Sequence, residues 1–163
     1  LQQTLKTLGW RPQKIIFSYH GLPARYWHNG DPYPCQCFKT TRLVATTLKL
    51  PANQVITSFQ SRFGKAKWVE PYTEATLQAL PSQGCQRVLI ITPGFAADCI
   101  ETLEEIADSG RHTFITAGGT HYHTVPCLNA SPAGLACLTA LLTPILSGIN
   151  TTPPSPTTSR RPR

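Results

Sequence analysis

Hydrophobic residues along this chain fall into short dense runs set between polar stretches punctuated by glycine and proline. Lys14-Ile-Ile-Phe-Ser-Tyr19 is apolar and aromatic, and its length and composition predict a buried strand. Val55–Phe59 predicts a second strand. Arg87-Val-Leu-Ile-Ile-Thr92 predicts the clearest third, broken by Pro93 and Gly94. Between the strands the apolar positions take helical spacing. They do so over residues 35–49, over Tyr72–Leu80 with Gly84 closing the unit, and over Asp98–Asp108, where Asp98 is the expected N-cap. Residues 21–34 and 60–70 read as loops. Residues 110–130 are mixed, with a short strand expected at His121–Pro126, and Ser131–Leu142 reads as a final helix. Strands alternating with helices imply βαβ units and a parallel sheet between helical layers, an α/β fold. Ligands of such sheets bind at the carboxyl ends of the strands. That rule selects Tyr19-His20-Gly21, Gln60-Ser61-Arg62 and Pro93-Gly94-Phe95 as loops on one rim.

The C-terminal third changes this picture in one respect. No Asp, Glu, Lys or Arg occurs from Thr113 to Ser159, and residues 134–149 are mostly apolar. A membrane-spanning helix needs about 20 apolar residues. This stretch is shorter and is interrupted by Pro144, so a core helix is expected. Residues 150–163, rich in Pro, Ser and Thr, have the composition of a disordered tail. Residues 1–149 are then one domain, and 163 residues suffice for a genuine core.

Charge narrows the function classes. The formal net charge is +7, but Arg160, Arg161 and Arg163 lie in the tail, and the remaining 12 basic and 8 acidic residues leave +4. No basic run is interleaved with aromatics, so a nucleic-acid partner is not expected. The six cysteines form no C-x-x-C pair, and His121 and His123 stand only two apart, so zinc spacing is missing and reduced thiols are expected. Leu1–Trp10 has no long apolar stretch of the signal-peptide kind. A chain that starts at Leu1 and contains no Met reads as a fragment.

Three groups on the expected rim carry chemistry. His20 directly follows a buried strand, where an imidazole is fixed yet open, and its ordinary pKa of about 6.5 suits proton transfer or metal ligation. Its plainer role is a bond to a loop carbonyl. Asp98, Glu101, Glu105 and Asp108 fall at helical spacing and form an acidic stripe that suits a divalent cation, or simply a solvated face. Phe59-Gln-Ser-Arg-Phe-Gly64 with Trp68 combines aromatics, an amide and a cation, as a loop holding a flat aromatic ligand with carboxylates would, although two packed aromatics in an ordinary loop give the same text.

Read in order, these segments resemble the ferrochelatases, most closely the proteobacterial members. The matching stretches are Phe17-Ser-Tyr-His-Gly-Leu-Pro23, Gly30-Asp-Pro-Tyr-Pro34, Ser58-Phe-Gln-Ser-Arg-Phe-Gly64 with Trp68 and Pro71-Tyr72-Thr73, Pro93-Gly-Phe-Ala-Ala-Asp98 with Ile100-Glu-Thr-Leu-Glu-Glu105, and Leu128-Asn129. The resemblance runs from about Lys14 to Leu142. It implies a chelatase-like, Rossmann-like fold of two similar α/β domains with the porphyrin in the cleft between them. This chain would be the C-terminal domain, with the N-terminal domain missing. The implied reaction is insertion of ferrous iron, a substrate, into protoporphyrin IX, with no permanently bound cofactor. By the resemblance His20 and Glu101 are catalytic and face each other across the macrocycle. His20, Glu101 and Glu105 handle metal or protons, and the acidic row sits on a helix that often contains a π-turn. Tyr19, Phe59, Gln60, Ser61, Arg62 and Trp68 belong to the substrate wall. A cytoplasmic location is implied, with peripheral contact to the inner membrane left open.

The sequence departs from the family pattern in places. Phe59 replaces a tryptophan that many relatives carry, Ser109 interrupts the acidic row, Cys99 replaces a histidine found in some members, and the pattern ends after Leu142. The cysteines that bind an iron–sulfur cluster in animal members have no counterpart. Two further readings stay open: a haem-carrying fragment with His20 as axial ligand, and a chelatase for cobalt or coproporphyrin.

Overall fold

The computed structural model describes residues 1–148. The tail expected at 150–163 lies outside the described residues. Elements follow in the order α1 (Gln2–Thr7), β1 (Lys14–His20), α2 (Ala24–His28), α3 (Tyr33–Thr47), β2 (Val55–Gln60), α4 (Thr73–Ala79), β3 (Arg87–Ile91), α5 (Ile100–Thr102), a π-helix (Leu103–Gly110), α6 (Arg111–Thr116), β4 (His121–Thr124) and α7 (Pro132–Ser147). The chain divides into two units, Leu1–Asn129 and a second from Ala130.

In the first unit four parallel strands lie in the order β2-β1-β3-β4. The α/β expectation therefore holds, and the sheet is a doubly wound one. Strand alternation splits β1 between two cores. Ile15, Phe17 and Tyr19 join Cys37, Phe59, Val69 and Leu89, against which residues of α1 and α3 pack. Ile16 joins Leu77, Leu80, Val88, Ile90, Ile106 and Phe114, under α4, the π-helix and α6. Each fully buried Ile or Phe contributes about 1.5–3 kcal/mol of transfer free energy, so these two clusters hold the rim elements in place.

Several boundaries differ from the expectation for local reasons. β1 and β2 run one residue further, so that His20 and Gln60 are paired strand residues rather than loop residues. α3 starts at Tyr33, not at residue 35. Pro34 fits a first turn, where no N–H is needed, and Asp31 Oδ1 accepts the Tyr33 N–H at 2.9 Å. α2 occupies part of the expected loop 21–34, and α1 was not expected at all. The helix expected at Asp98–Asp108 begins at Ile100 with Cys99 as N-cap, and helical backbone continues to Thr116. Its middle is a π-helix, as the family resemblance implied.

The second unit holds α7. Ser131 Oγ accepts the Gly134 N–H at 3.1 Å and Pro132 fills the first turn, which is the expected sequence logic of a helix start. The helix runs on to Ser147 through Pro144. Its large apolar side chains, among them Leu135, Leu138, Leu141 and Ile145, are exposed, contrary to the core helix expected there. Among the described residues no helix is long and apolar enough to cross a membrane.

Candidate active site

Strand order β2-β1-β3-β4 means that the chain leaves β1 toward one side and returns through β3 on the other. The loops after β1 and β3 therefore diverge and leave a crevice at their carboxyl ends. His20 ends β1. The segment after β3 leads through Cys99 into Glu101, so the two groups come from the strands that flank this crevice.

His20 is half-buried and doubly held. Its Nδ1 lies 2.7 Å from the Gly21 carbonyl, and the Tyr33 hydroxyl donates to the His20 carbonyl at 2.8 Å. A carbonyl can only accept, so Nδ1 carries the hydrogen, and in the neutral ring Nε2 keeps its lone pair. The bond to a loop carbonyl is thus what orients the ring, and it leaves a proton acceptor free. Gly21 must be glycine. A Cβ there would lie 2.9 Å from the Gln60 carbonyl oxygen and 3.0 Å from the Trp68 ring. The Trp68 ring in turn stands 6.4 Å from the His20 ring.

Glu101 is in the first turn of α5. The Cys99 thiol bonded to its carboxylate, the helix's own amide and the nearby His20 hold the Glu101 carboxyl below the usual carboxylate range, against a small desolvation effect. At neutral pH it is a carboxylate on the same rim as the His20 imidazole.

The other sequence candidates divide. Glu105 accepts the Ser61 N–H and the Ser61 hydroxyl, each at 2.6 Å, and the Gln60 amide at 3.3 Å. It is therefore turned onto the β2 loop, and Ser61 adopts a left-handed φ of 62° to reach it. Arg62 is exposed and its guanidinium lies 4.7 Å over the Tyr72 ring. Trp68 is 4 % exposed, while Phe63, 5.2 Å from it, is 75 % exposed and offers an aromatic surface on this rim. Tyr19 and Phe59 are buried in the α3-side core. The Tyr19 hydroxyl is taken by Thr41 at 3.0 Å, and burial pushes its phenol up to about 12. Strand alternation turns both of these side chains away from the face on which Ser18 and Gln60 lie.

The acidic stripe does not survive as one row. Asp98 lies before the helix and closes a loop instead. Its Oδ2 accepts the Asn129 amide at 2.7 Å, its Oδ1 accepts the Thr102 hydroxyl at 3.1 Å and the Cys127 N–H at 3.3 Å, and its own N–H donates to Asn129 Oδ1 at 2.8 Å. These bonds, the one from Asn129 foremost, hold the Asp98 carboxyl below its ordinary value. In the π-helix Ser109 donates to Glu104, five residues back, at 2.8 Å, and Asp108 is exposed. Among the described residues no three His, Cys, Asp or Glu side chains converge into a metal-holding cluster. His20, Glu101 and Glu105 are thus on one rim without forming a closed cage.

Sequence reasoning passed over Tyr33, Ser18 and Thr73. A signal for Ser18 was present. On the strand face where Ile16 and Ile56 are apolar, the next positions outward are Ser18 and Ser58, then His20 and Gln60. Hydroxyls replace aliphatics as the face nears the rim.

Comparison with known proteins agrees with this geometry. The chain is 52 % identical over 136 residues to "Ferrochelatase 2" of Shewanella oneidensis, covering 83 % of this chain and 42 % of that protein. It is 49 % identical over 138 residues to a ferrochelatase of Pseudoalteromonas atlantica, covering 85 % and 38 %. With a ferrochelatase of Rhizobium meliloti it shares 44 % over 148 residues, covering 91 % and 44 %. The chain thus spans about two-fifths of the length of these curated relatives. A crystal structure of a putative cobalamin-biosynthesis CbiX protein from Marinobacter aquaeolei superposes with a TM-score of 0.56 at 15 % identity, covering 83 % of this chain and 98 % of that one, a likeness of fold. Residues 1–144 match the family model named Ferrochelatase, and with that match the chain belongs to the ferrochelatase family.

Proposed function

We propose that residues 1–148 form the wall of a tetrapyrrole cleft that carries the acid–base groups for inserting ferrous iron into protoporphyrin IX. Both pyrrole N–H bonds must break as the four ring nitrogens bind the iron, so two protons have to leave the macrocycle. His20 Nε2, the lone-pair nitrogen of the neutral ring when Nδ1 donates to Gly21, accepts a pyrrole proton, and the Glu101 carboxylate passes protons on or meets the incoming cation. Phe63 and Trp68 supply apolar wall on the same rim. A planar macrocycle hides its nitrogen lone pairs, so binding it puckered would lower the barrier. The observation that carries the reading is the bond of His20 Nδ1 to the Gly21 carbonyl at the strand end, on a chain of this family.

The opposite wall belongs to the N-terminal domain that the longer relatives carry. Residues 1–163 alone therefore lack measurable turnover. Fusing them behind the N-terminal portion of the Shewanella oneidensis relative supplies that wall and gives iron insertion, followed by the absorbance change from free porphyrin to haem. Turnover by residues 1–163 alone, or none by a folded fusion, would overturn the proposal. The proposed location is the cytoplasm, with the inner-membrane surface as the place of a peripheral contact.

A further inference from the structure

The sequence assigned Gln60 to the substrate, yet it is 3 % exposed and every polar atom of its amide is engaged within the protein. One end of the amide faces the Glu101 carbonyl at 2.8 Å and a Glu105 carboxylate oxygen at 3.3 Å. A carbonyl accepts only, so this end must be the NH2, and the other end is the oxygen. That oxygen accepts the Ser18 hydroxyl at 2.8 Å. Since Ser18 gives its one hydrogen to Gln60, its 2.8 Å contact with Thr73 must be donated by Thr73, and the 2.8 Å contact between Thr73 and Ser58 by Ser58. The result is a directed chain, Ser58 to Thr73 to Ser18 to Gln60, with Ser18 and Ser58 at 0 % exposure and Thr73 at 2 %.

We infer that Gln60 is a positioning residue, oriented from behind by this hydroxyl chain, that sets the backbone of Glu101 and the carboxylate of Glu105 relative to the rim. The inference rests on the iron-insertion reading for its catalytic consequence, but its geometry does not. A π-turn strands backbone carbonyls that an α-helix would satisfy. Gln60 meets that need at Glu101, and the same amide group fixes the carboxylate that also receives Ser61. Reversing the amide would point an oxygen at both acceptors, so the hydroxyl chain behind it selects the one workable orientation.

The test uses Thr73, which touches neither rim nor cleft. Thr73→Val keeps the shape and breaks the chain; Thr73→Ser keeps the hydroxyl. Gln60→Glu keeps the acceptor for Ser18 but sets an oxygen against Glu101 and Glu105. In the 163-residue chain, the Ser61 amide, which donates to Glu105, should exchange with solvent about tenfold faster in Thr73→Val and normally in Thr73→Ser. In the fused enzyme kcat should fall about tenfold in Thr73→Val and more in Gln60→Glu, with KM for porphyrin within about threefold of the parent and Thr73→Ser restoring kcat. Unchanged Ser61 exchange in Thr73→Val overturns the orienting chain. Faster exchange with unchanged kcat reduces the chain to a purely structural one and overturns the positioning role. A fused parent without turnover overturns the iron-insertion reading, while the exchange measurement still decides whether Gln60 is oriented as inferred.

Discussion

Gly21→Ala puts a single methyl group where the structure has the least room on the rim. The added Cβ would meet the Gln60 carbonyl oxygen at 2.9 Å and two Trp68 ring carbons at 3.0 and 3.6 Å. Neither neighbour can yield cheaply. The Gln60 oxygen is backbone and already accepts the Gly21 N–H at 2.8 Å, and Trp68 is 4 % exposed with Phe63 and His20 around it. Overpacking of this kind costs about 1–3 kcal/mol. For a chain of this size that is about 2–4 °C in Tm per kcal/mol, so a fall of about 4–8 °C is expected for the middle of the range. Gly9→Ala is the matched control, because nothing lies within 4 Å of a Cβ there, and it should change stability by less than about 0.5 kcal/mol. Circular-dichroism melts and urea titrations of the two variants against the parent provide the comparison. A Gly21→Ala variant as stable as Gly9→Ala would refute the claim that the β1–β2 rim is closed by contact and not merely by hydrogen bonds.

Other expected outcomes bear on the site and its frame. In the fused enzyme His20→Ala should lower turnover about 10²–10⁴-fold with the fold intact, whereas Asp108→Asn, exposed and near the end of the π-helix, should leave it within about threefold; steady-state iron insertion with a porphyrin titration measures both. Asp98 should contribute to stability above the ordinary carboxylate pKa of about 3.9 and lose that contribution as pH falls through its lower folded value, so the deficit of Asp98→Asn at pH 7 should shrink in melts below about pH 3. Tyr122→Phe removes the hydroxyl that donates to the Ile106 carbonyl in the π-helix, and losing that hydrogen bond should cost about 0.5–1.5 kcal/mol in urea unfolding.

What could be read from the chain followed from burial. The runs at Lys14, Val55 and Arg87 announced β1, β2 and β3 because strands buried on both faces are continuously apolar. α1 escaped because it buries no residue fully and carries only a partial apolar face. The acidic stripe misled because it assumed an unbroken helix of regular pitch. Asp98 is instead spent on Asn129 and Cys127, and the π-helix changes the pitch from Leu103 onward. Gln60 misled differently. A polar residue in a rim motif looks like a ligand contact when the direction of its side chain is unknown, and only the pairing of Ser18 with Ser58 on an otherwise aliphatic face marks the side chain as inward. The positions of His20 and Glu101 were legible because strand ends and helix starts can be placed without knowing any side-chain direction.

The indole nitrogen of Trp68 is buried without a hydrogen-bond partner. An indole so placed is optically distinct from Trp27, whose ring is 37 % exposed, because emission shifts to the blue where no polar group or water relaxes around the excited state. Its ring lies 6.4 Å from the His20 imidazole, and protonated imidazoles quench indole emission. The blue component of the protein's fluorescence therefore reports on the rim at His20. A bound tetrapyrrole absorbs across the indole emission band and would extinguish the same component. The rim thus carries its own label, with which changes around His20 can be followed in unmodified protein.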